Sequence, residues 1–292
     1  MRSVGRFFGV GVGVGIVMIL IFRVSSLSVS VLTRDLSSTI SVIRYQSKLL
    51  SHSVAHIVTI PLYDRFIVTP ALADGTDQVE NFARRERAIA VINGGFFDPV
   101  NQQSTSYIVL NGEKVADPKQ NDRLTSNPDL KPYLEKIFNR SELRRYVCGQ
   151  KMRYEFAFHQ DAIPLGCRLE DSLGAGCRLL PRLTDQSEAF TDLANGRDAI
   201  GVHQRNARSA IGLTDDALIL VMVAQNAPSN SGMSLGELAK FMQSLGAKTA
   251  MNLDGGSSSA LHYQGKTFYG KVDENGKTVQ RSIKSVLVVK QK

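Results

Sequence analysis

Arg2 and Arg6 precede an uncharged run from Phe7 to Phe22 that Arg23 closes, and this run decides how much of the chain is free to build a core. As a helix these residues span roughly 24 Å, short of the hydrocarbon layer unless Val24 to Leu32 extends the span and Arg23 snorkels. A basic start followed by such a run is the pattern of a signal peptide or an uncleaved signal anchor, assigned to residues 1–23. Val24-Ser25-Ser26 is a weak cleavage site, so the anchor is favoured. Glycines at alternate positions from Gly9 to Gly15 suit a membrane better than a soluble helix. They also lack the spacing of a dinucleotide fingerprint. Basic residues ahead of a span stay inside, so the bulk of the chain is expected outside the cytoplasm.

Residues 24–52 are rich in serine and are assigned as a spacer. The remaining chain, 53–292, is long enough for one well-buried core without disulfide staples. Its composition is that of a globular protein, with 43% hydrophobic and 21% charged residues overall. The formal charge of +8 points less to nucleic acid than its size suggests. Arg2, Arg6, Arg23, Arg34, Arg44 and Lys48 face Asp35 alone in the first fifty residues, which leaves only +3 for the rest. Aromatic residues there are not interleaved with basic ones, so no nucleic acid partner is expected.

Short apolar runs of strand length dominate this domain. Val54–Ile60, Ala88–Ile92, Arg153–Phe158, Ala207–Leu213, Ala217–Ala224, Thr249–Leu253 and Ile283–Val289 have strand character. Asn111-Gly112 between Tyr107–Leu110 and Lys114-Val115 is the strongest hairpin-turn signal. Helices are expected over Asn81–Arg87 and Leu130–Tyr146. A third is expected to start at Ser234, where Glu237 completes a capping box and Leu235, Leu238, Phe241, Met242 and Leu245 form an apolar face that Gly246 ends. The fold class is therefore α+β, a single mixed domain with a central, mainly β core.

Polar residues gather after apolar strands in a few places. Asn93-Gly94-Gly95-Phe96-Phe97-Asp98 combines glycines that permit close ligand approach with Asn93 and Asp98, or is simply a glycine bulge with a turn aspartate. Arg208 heads a strand of small and apolar residues; a surface ion pair is the plainer explanation for it. Glu237 serves equally as a capping-box acid. Asn252-Leu253-Asp254-Gly255-Gly256-Ser257-Ser258-Ser259 ends a buried strand with an aspartate, glycines and hydroxyls, and can form an anion-binding nest. It is neither a nucleophile elbow nor a P-loop. No His, Cys and carboxylate set has metal-ligand spacing, and no cofactor is expected.

Taken in order, these segments resemble the phosphodiester glycosidase family. The family pattern is matched at Asn93–Asp98, Ala175–Leu179, Arg208–Gly212, Gly232–Ala239 and Asn252–Ser258, and the likeness runs from about residue 53 to the C-terminus. Two departures stand out. Cys177 replaces the family's usual proline, and Ala224-Gln225-Asn226-Ala227-Pro228 lacks the Asp-Gly-Arg common in many members.

The resemblance implies a hydrolase acting on a phosphorylated glycan or sugar phosphodiester. A leaving phosphate monoester, whose remaining proton has a pKa of about 6, departs as a stable anion without a strong general acid. Such a site needs donors for the phosphate and a carboxylate at the oxocarbenium centre. Motif and chemistry together assign Asp254 and Glu237 as the carboxylates. Arg208 with Gly255, Gly256, Ser257 and Ser258 takes the phosphate, and Asn93, Gly94, Gly95 and Asp98 take the sugar. A non-catalytic envelope glycan-binding domain and a phosphodiesterase acting at phosphorus are the alternatives. An oxidising location would permit a disulfide between Cys148 and Cys167 with Cys177 free, against the alternative of three buried thiols.

Overall fold

A computed structural model describes residues 42–62 and 65–292; the expected anchor and most of the spacer lie outside them. Among the described residues, no helix is long and apolar enough to cross a membrane.

The strongest apolar runs pair with one another. β1 (Arg44–Leu50), β2 (Ser53–Pro61), β10 (Arg178–Leu180), β13 (Arg208–Leu213), β14 (Ala217–Gln225) and β15 (Thr249–Asn252) form one sheet in the order β1-β2-β14-β13-β15-β10. β3 (Phe66–Asp77), β4 (Ala90–Asn93), β16 (Ala260–Tyr263), β17 (Lys266–Tyr269) and β18 (Ile283–Gln291) form a second, ordered β17-β16-β4-β18-β3. A third contains β5 (Ile108–Leu110), β6 (Glu113–Ala116), β7 (Ser141–Cys148), β8 (Lys151–Phe158) and β9 (Cys167–Gly174), ordered β6-β5-β9-β7-β8. A ribbon of β11 (Thr191–Asp192) and β12 (Arg197–Asp198) is separate. The ladders of the three large sheets are antiparallel.

Alternation along the strands sets the layers. In β14, Leu218, Leu220 and Met222 face a core shared with Ile92, Leu287, Leu143 and Leu173 of the other two sheets. Ile219, Val221 and Val223 point the opposite way, into a second core closed by Leu235, Leu238, Phe241 and Met242 of α4 (Leu235–Ser244). In β18, Leu287 and Val289 face the shared core, while Val286 and Val288 pack on Val79, Phe82 and Ala83 of α1 (Val79–Arg85). The first and second sheets therefore lie face to face, each backed by a helix. This is the mainly β core that the sequence implied.

Local signals hold where chemistry fixes the backbone. Asn111 (φ 52°) and Gly112 (φ 82°) are both left-handed, as a tight hairpin turn requires. Ser234 and Glu237 form the expected capping box. Cys148 and Cys167, directly opposite in the β7–β9 ladder, are bridged, and Cys177 is free and buried.

Two expectations are corrected. The helix over Leu130–Tyr146 is confined to a short 3-10 turn and α3 (Leu134–Ile137), preceded by α2 (Asp122–Thr125). β7 takes the rest, because strands flank it on both sides and satisfy its backbone. The ordered domain also begins earlier than Ser53. β1 falls within the supposed spacer and pairs along β2 from Arg44↔Thr59 to Leu50↔Ser53. Tyr45 anchors it, its hydroxyl bonded to His56 Nδ1 at 2.8 Å and its ring stacked with Tyr263 and Phe268.

Candidate functional site

β4 of the second sheet and β15 of the first end side by side, and the chain after β15 crosses between the sheets. Asn93, the last residue of β4, fastens that junction. Its Nδ2 donates to the Asp254 carbonyl at 2.6 Å, and its Oδ1 accepts from Ser209 Oγ at 2.6 Å and from the Ala260 amide at 3.1 Å. The Asp254 amide donates to Gly94 O at 3.0 Å. On the other side, Asn252 donates through its amide to Cys177 O and through Nδ2 to Gly176 O. Asp254 is thus held from both sheets.

The sugar-binding expectation for Asn93, Gly94 and Gly95 is corrected by this geometry. Asn93 is fully buried and its amide group is already engaged. The Gly94 amide donates to Ser285 O and that of Gly95 to Ser285 Oγ, so neither faces a ligand. Both must be glycine, since a Cβ would meet Ser285 Oγ at 2.5 Å or Gly174 O at 2.3 Å. Asp98 is also spent elsewhere, accepting from the Val100 amide and ion-paired to Arg123 at 2.8 Å.

Asp254 keeps partial contact with water although heavy atoms crowd it. Burial pushes its carboxyl up to about 6, against the Ser258 hydroxyl, the Arg281 charge and the Gly255 amide, which all favour the carboxylate. The turn that follows, Gly256–Ser258, is a single 3-10 turn. Its backbone is not an open nest: the amides of Gly255, Gly256, Ser258 and Ser259 donate to Asp254 Oδ1, Ala207 O, Gly255 O and Gly256 O. Only the Ser257 amide of this loop lacks a backbone or carboxylate acceptor, so most donors for an anion must come from side chains.

Arg208 is largely committed to carbonyls. It is 2% exposed, and its guanidinium donates to the carbonyls of Met233, Ile200, Gly201 and Gln204. Burial pulls it down to about 10, still cationic at neutral pH. A Cβ on Gly255 would stand 3.7 Å from Arg208 Cδ, so the arginine supports the loop from beneath. The residue expected to take phosphate thus spends four of its five N–H donors on backbone carbonyls.

Glu237 is corrected as well. Its Oε2 accepts from the Ser234 amide at 2.9 Å, and Arg205 contacts both its oxygens, the shortest approach being 2.6 Å. The Arg205 hydrogen bond holds the carboxyl down to about 2. It caps a helix and pairs with an arginine.

The cations beside the loop come from the β17–β18 connection, where no motif announced them. Arg281 Nη1 donates to Ser257 Oγ at 2.9 Å, and its Cζ lies 5.0 Å from the Phe97 ring centre. Lys271 Nζ is 3.4 Å from Asn206 Oδ1, and a Cβ on Gly256 would stand 3.6 Å from Asn206 Nδ2. Lys271 and Arg281 are separated in sequence from every polar motif, and only the fold brings them there. Among the described residues, no group of three or more His, Cys, Asp and Glu is placed to hold a metal ion. A cleft of about 840 Å³ lies between β3 and the β5–β6 hairpin. Of its cations, Arg145 and Lys290 are committed to Asp171 and Glu86, and Lys284 donates to the Asp74 carbonyl.

A carboxyl, hydroxyls and a cation thus come together at one inter-sheet junction of an antiparallel β core. The chain belongs to the phosphodiester glycosidase family, whose model matches residues 86–290. No curated protein matches the sequence. Among solved structures, the catalytic domain of zebrafish N-acetylglucosamine-1-phosphodiester alpha-N-acetylglucosaminidase, auto-inhibited by its pro-peptide, shares the fold at TM-score 0.64 and 19% identity, over 86% of this chain and 83% of that one. A hypothetical protein from Synechocystis is similar at TM-score 0.54 and 20% identity. That likeness covers 85% of this chain but only 61% of the Synechocystis chain.

Proposed function

We propose that the protein is an extracytoplasmic hydrolase that cleaves the glycosidic C–O bond of a sugar-1-phosphodiester, with Asp254 acting at the anomeric centre. The observation that carries this reading is that the half-buried Asp254 carboxyl feels the Arg281 charge and the Ser258 hydroxyl, with Arg281 held on Ser257, at the family's Asn-Leu-Asp-Gly-Gly-Ser-Ser loop. The phosphate leaves as an anion, so the main electrostatic demand is positive charge and donors on that side. Arg281, Lys271 and the serine hydroxyls supply them. Positive charge builds on the sugar as the bond lengthens, and the Asp254 carboxylate stabilises or attacks that centre. The N-terminal sequence and the Cys148–Cys167 bridge support a location outside the cytoplasm.

Asp254→Asn tests the assignment. The amide keeps the shape and loses the charge, so kcat on a chromogenic sugar phosphodiester should fall about 10²-fold or more while KM stays within a few-fold. A near-normal kcat removes Asp254 from the chemistry.

A further inference from the structure

Away from Asp254, two depressions of about 690 and 510 Å³ share Phe158 and Ser187 in their walls and so run together as one groove. Lys119 and Lys136 stand on one side of this groove and Arg182 on the other. Arg178 lies over the Phe158 ring, its Cζ 4.7 Å from the centre, and Lys119 Nζ lies 5.6 Å from the centre of Phe138. None of these four cations is within ion-pair distance of a carboxylate, whereas most other arginines near this region are paired or capped by carbonyls. Arg178 donates through Nη2 to Phe156 O, yet its Nε is buried without a hydrogen-bond partner. Glu135 and Asp185 are the opposing acids, and Asp185 already accepts from Thr191 Oγ1.

We propose that this groove is a second, non-catalytic binding site for a glycan bearing phosphate groups. Cations set along two sides, Lys119 and Lys136 on one and Arg182 on the other, match anionic groups repeated along a chain. The rings seat those cations, each with one on its face, and so offer bases a poor stacking platform. The other wall groups, Ser187, Asn139, Gln160 and Gln186, are hydroxyls and amides of the kind that sugar hydroxyls bond. Arg178 pairs with Met251 of β15, the strand that leads into Asp254, so polymer held in the groove is tied to the element carrying the candidate carboxyl. The link to catalysis rests on the proposed activity; binding in the groove does not.

The test uses the full chain and measures binding of dextran carrying phosphate monoesters, of the same dextran unmodified, and of a single-stranded DNA oligonucleotide of matched charge. Phosphorylated dextran should bind at least about tenfold more tightly than either. K136S/R182S should lose about tenfold in that affinity, with Tm and turnover of a small chromogenic sugar phosphodiester unchanged. Equal binding by wild type and variant overturns the proposal, as does equal binding of plain dextran or of DNA. Phosphodextran binding without turnover of the small substrate leaves the groove standing and defeats the activity instead; turnover without phosphodextran binding defeats the groove alone.

Discussion

Asp254 and two arginines divide the work that the motifs alone assigned differently. A folded pKa of about 6 against an ordinary 3.8 means that the fold favours the neutral carboxyl. Its stabilising contribution is complete below the ordinary value and is lost as pH rises through about 6. Ionisation then costs on the order of 2 kcal/mol, after allowance for partial contact with water. Asp254→Asn should accordingly raise Tm at pH 8 and leave it nearly unchanged at pH 4, as thermal melts at the two pH values will show. A loss of Tm at both would mean that the carboxyl mainly braces the glycine loop. Arg208 and Arg281 should separate cleanly. Arg208→Ala strands four carbonyls around a cavity and should cost about 3 kcal/mol or more in stability. Arg281→Ala should leave Tm within a degree or two but raise KM and lower kcat together, because phosphate is charged in ground and transition states alike. Denaturant titration and steady-state kinetics of both variants check this.

Among the elements, those marked by backbone chemistry were legible in the sequence and those decided by tertiary pairing were not. The Asn111-Gly112 hairpin, the α4 capping box and the β13–β14 pair follow from turn residues, caps and apolar runs. β1 was hidden because Arg44, Gln46 and Lys48 are polar and its stability comes from pairing with β2 and from Tyr45. β7 was hidden because its residues 141–146 tolerate a helix, and only its flanking strands select the extended form. In the site, Asp254 and its loop were legible because a motif carries them. Arg281 and Lys271 were not, and neither was the burial of Arg208, because a sequence does not show four carbonyls closing on one guanidinium. A chain starting at Ser53 should therefore lose at least about 5 °C in Tm against one starting at Val42 and should self-associate, since the β2 edge is bared. Scanning calorimetry with light scattering checks both. The Cys148–Cys167 bridge closes a separation of 19 residues, so the double serine variant should lose about 3 kcal/mol. Non-reducing peptide mapping that found both thiols alkylatable would remove the bridge.

At the scale of the whole molecule, two sheets lie face to face so that a strand terminus from each fixes one carboxyl, while the connection before β18 lays a cation beside it. The arrangement predicts the pH dependence of turnover. With the carboxylate as the active form, kcat should rise through about pH 6. Removing the Arg281 charge, which favours the carboxylate, should move that limb to higher pH.

The central claim is the bond that breaks, and hydrolysis of a sugar-1-phosphodiester in ¹⁸O-water reads it directly. Mass spectrometry should find the label on the anomeric oxygen of the released sugar, with none on the phosphate. Label on the phosphate instead would place the attack at phosphorus and contradict the account.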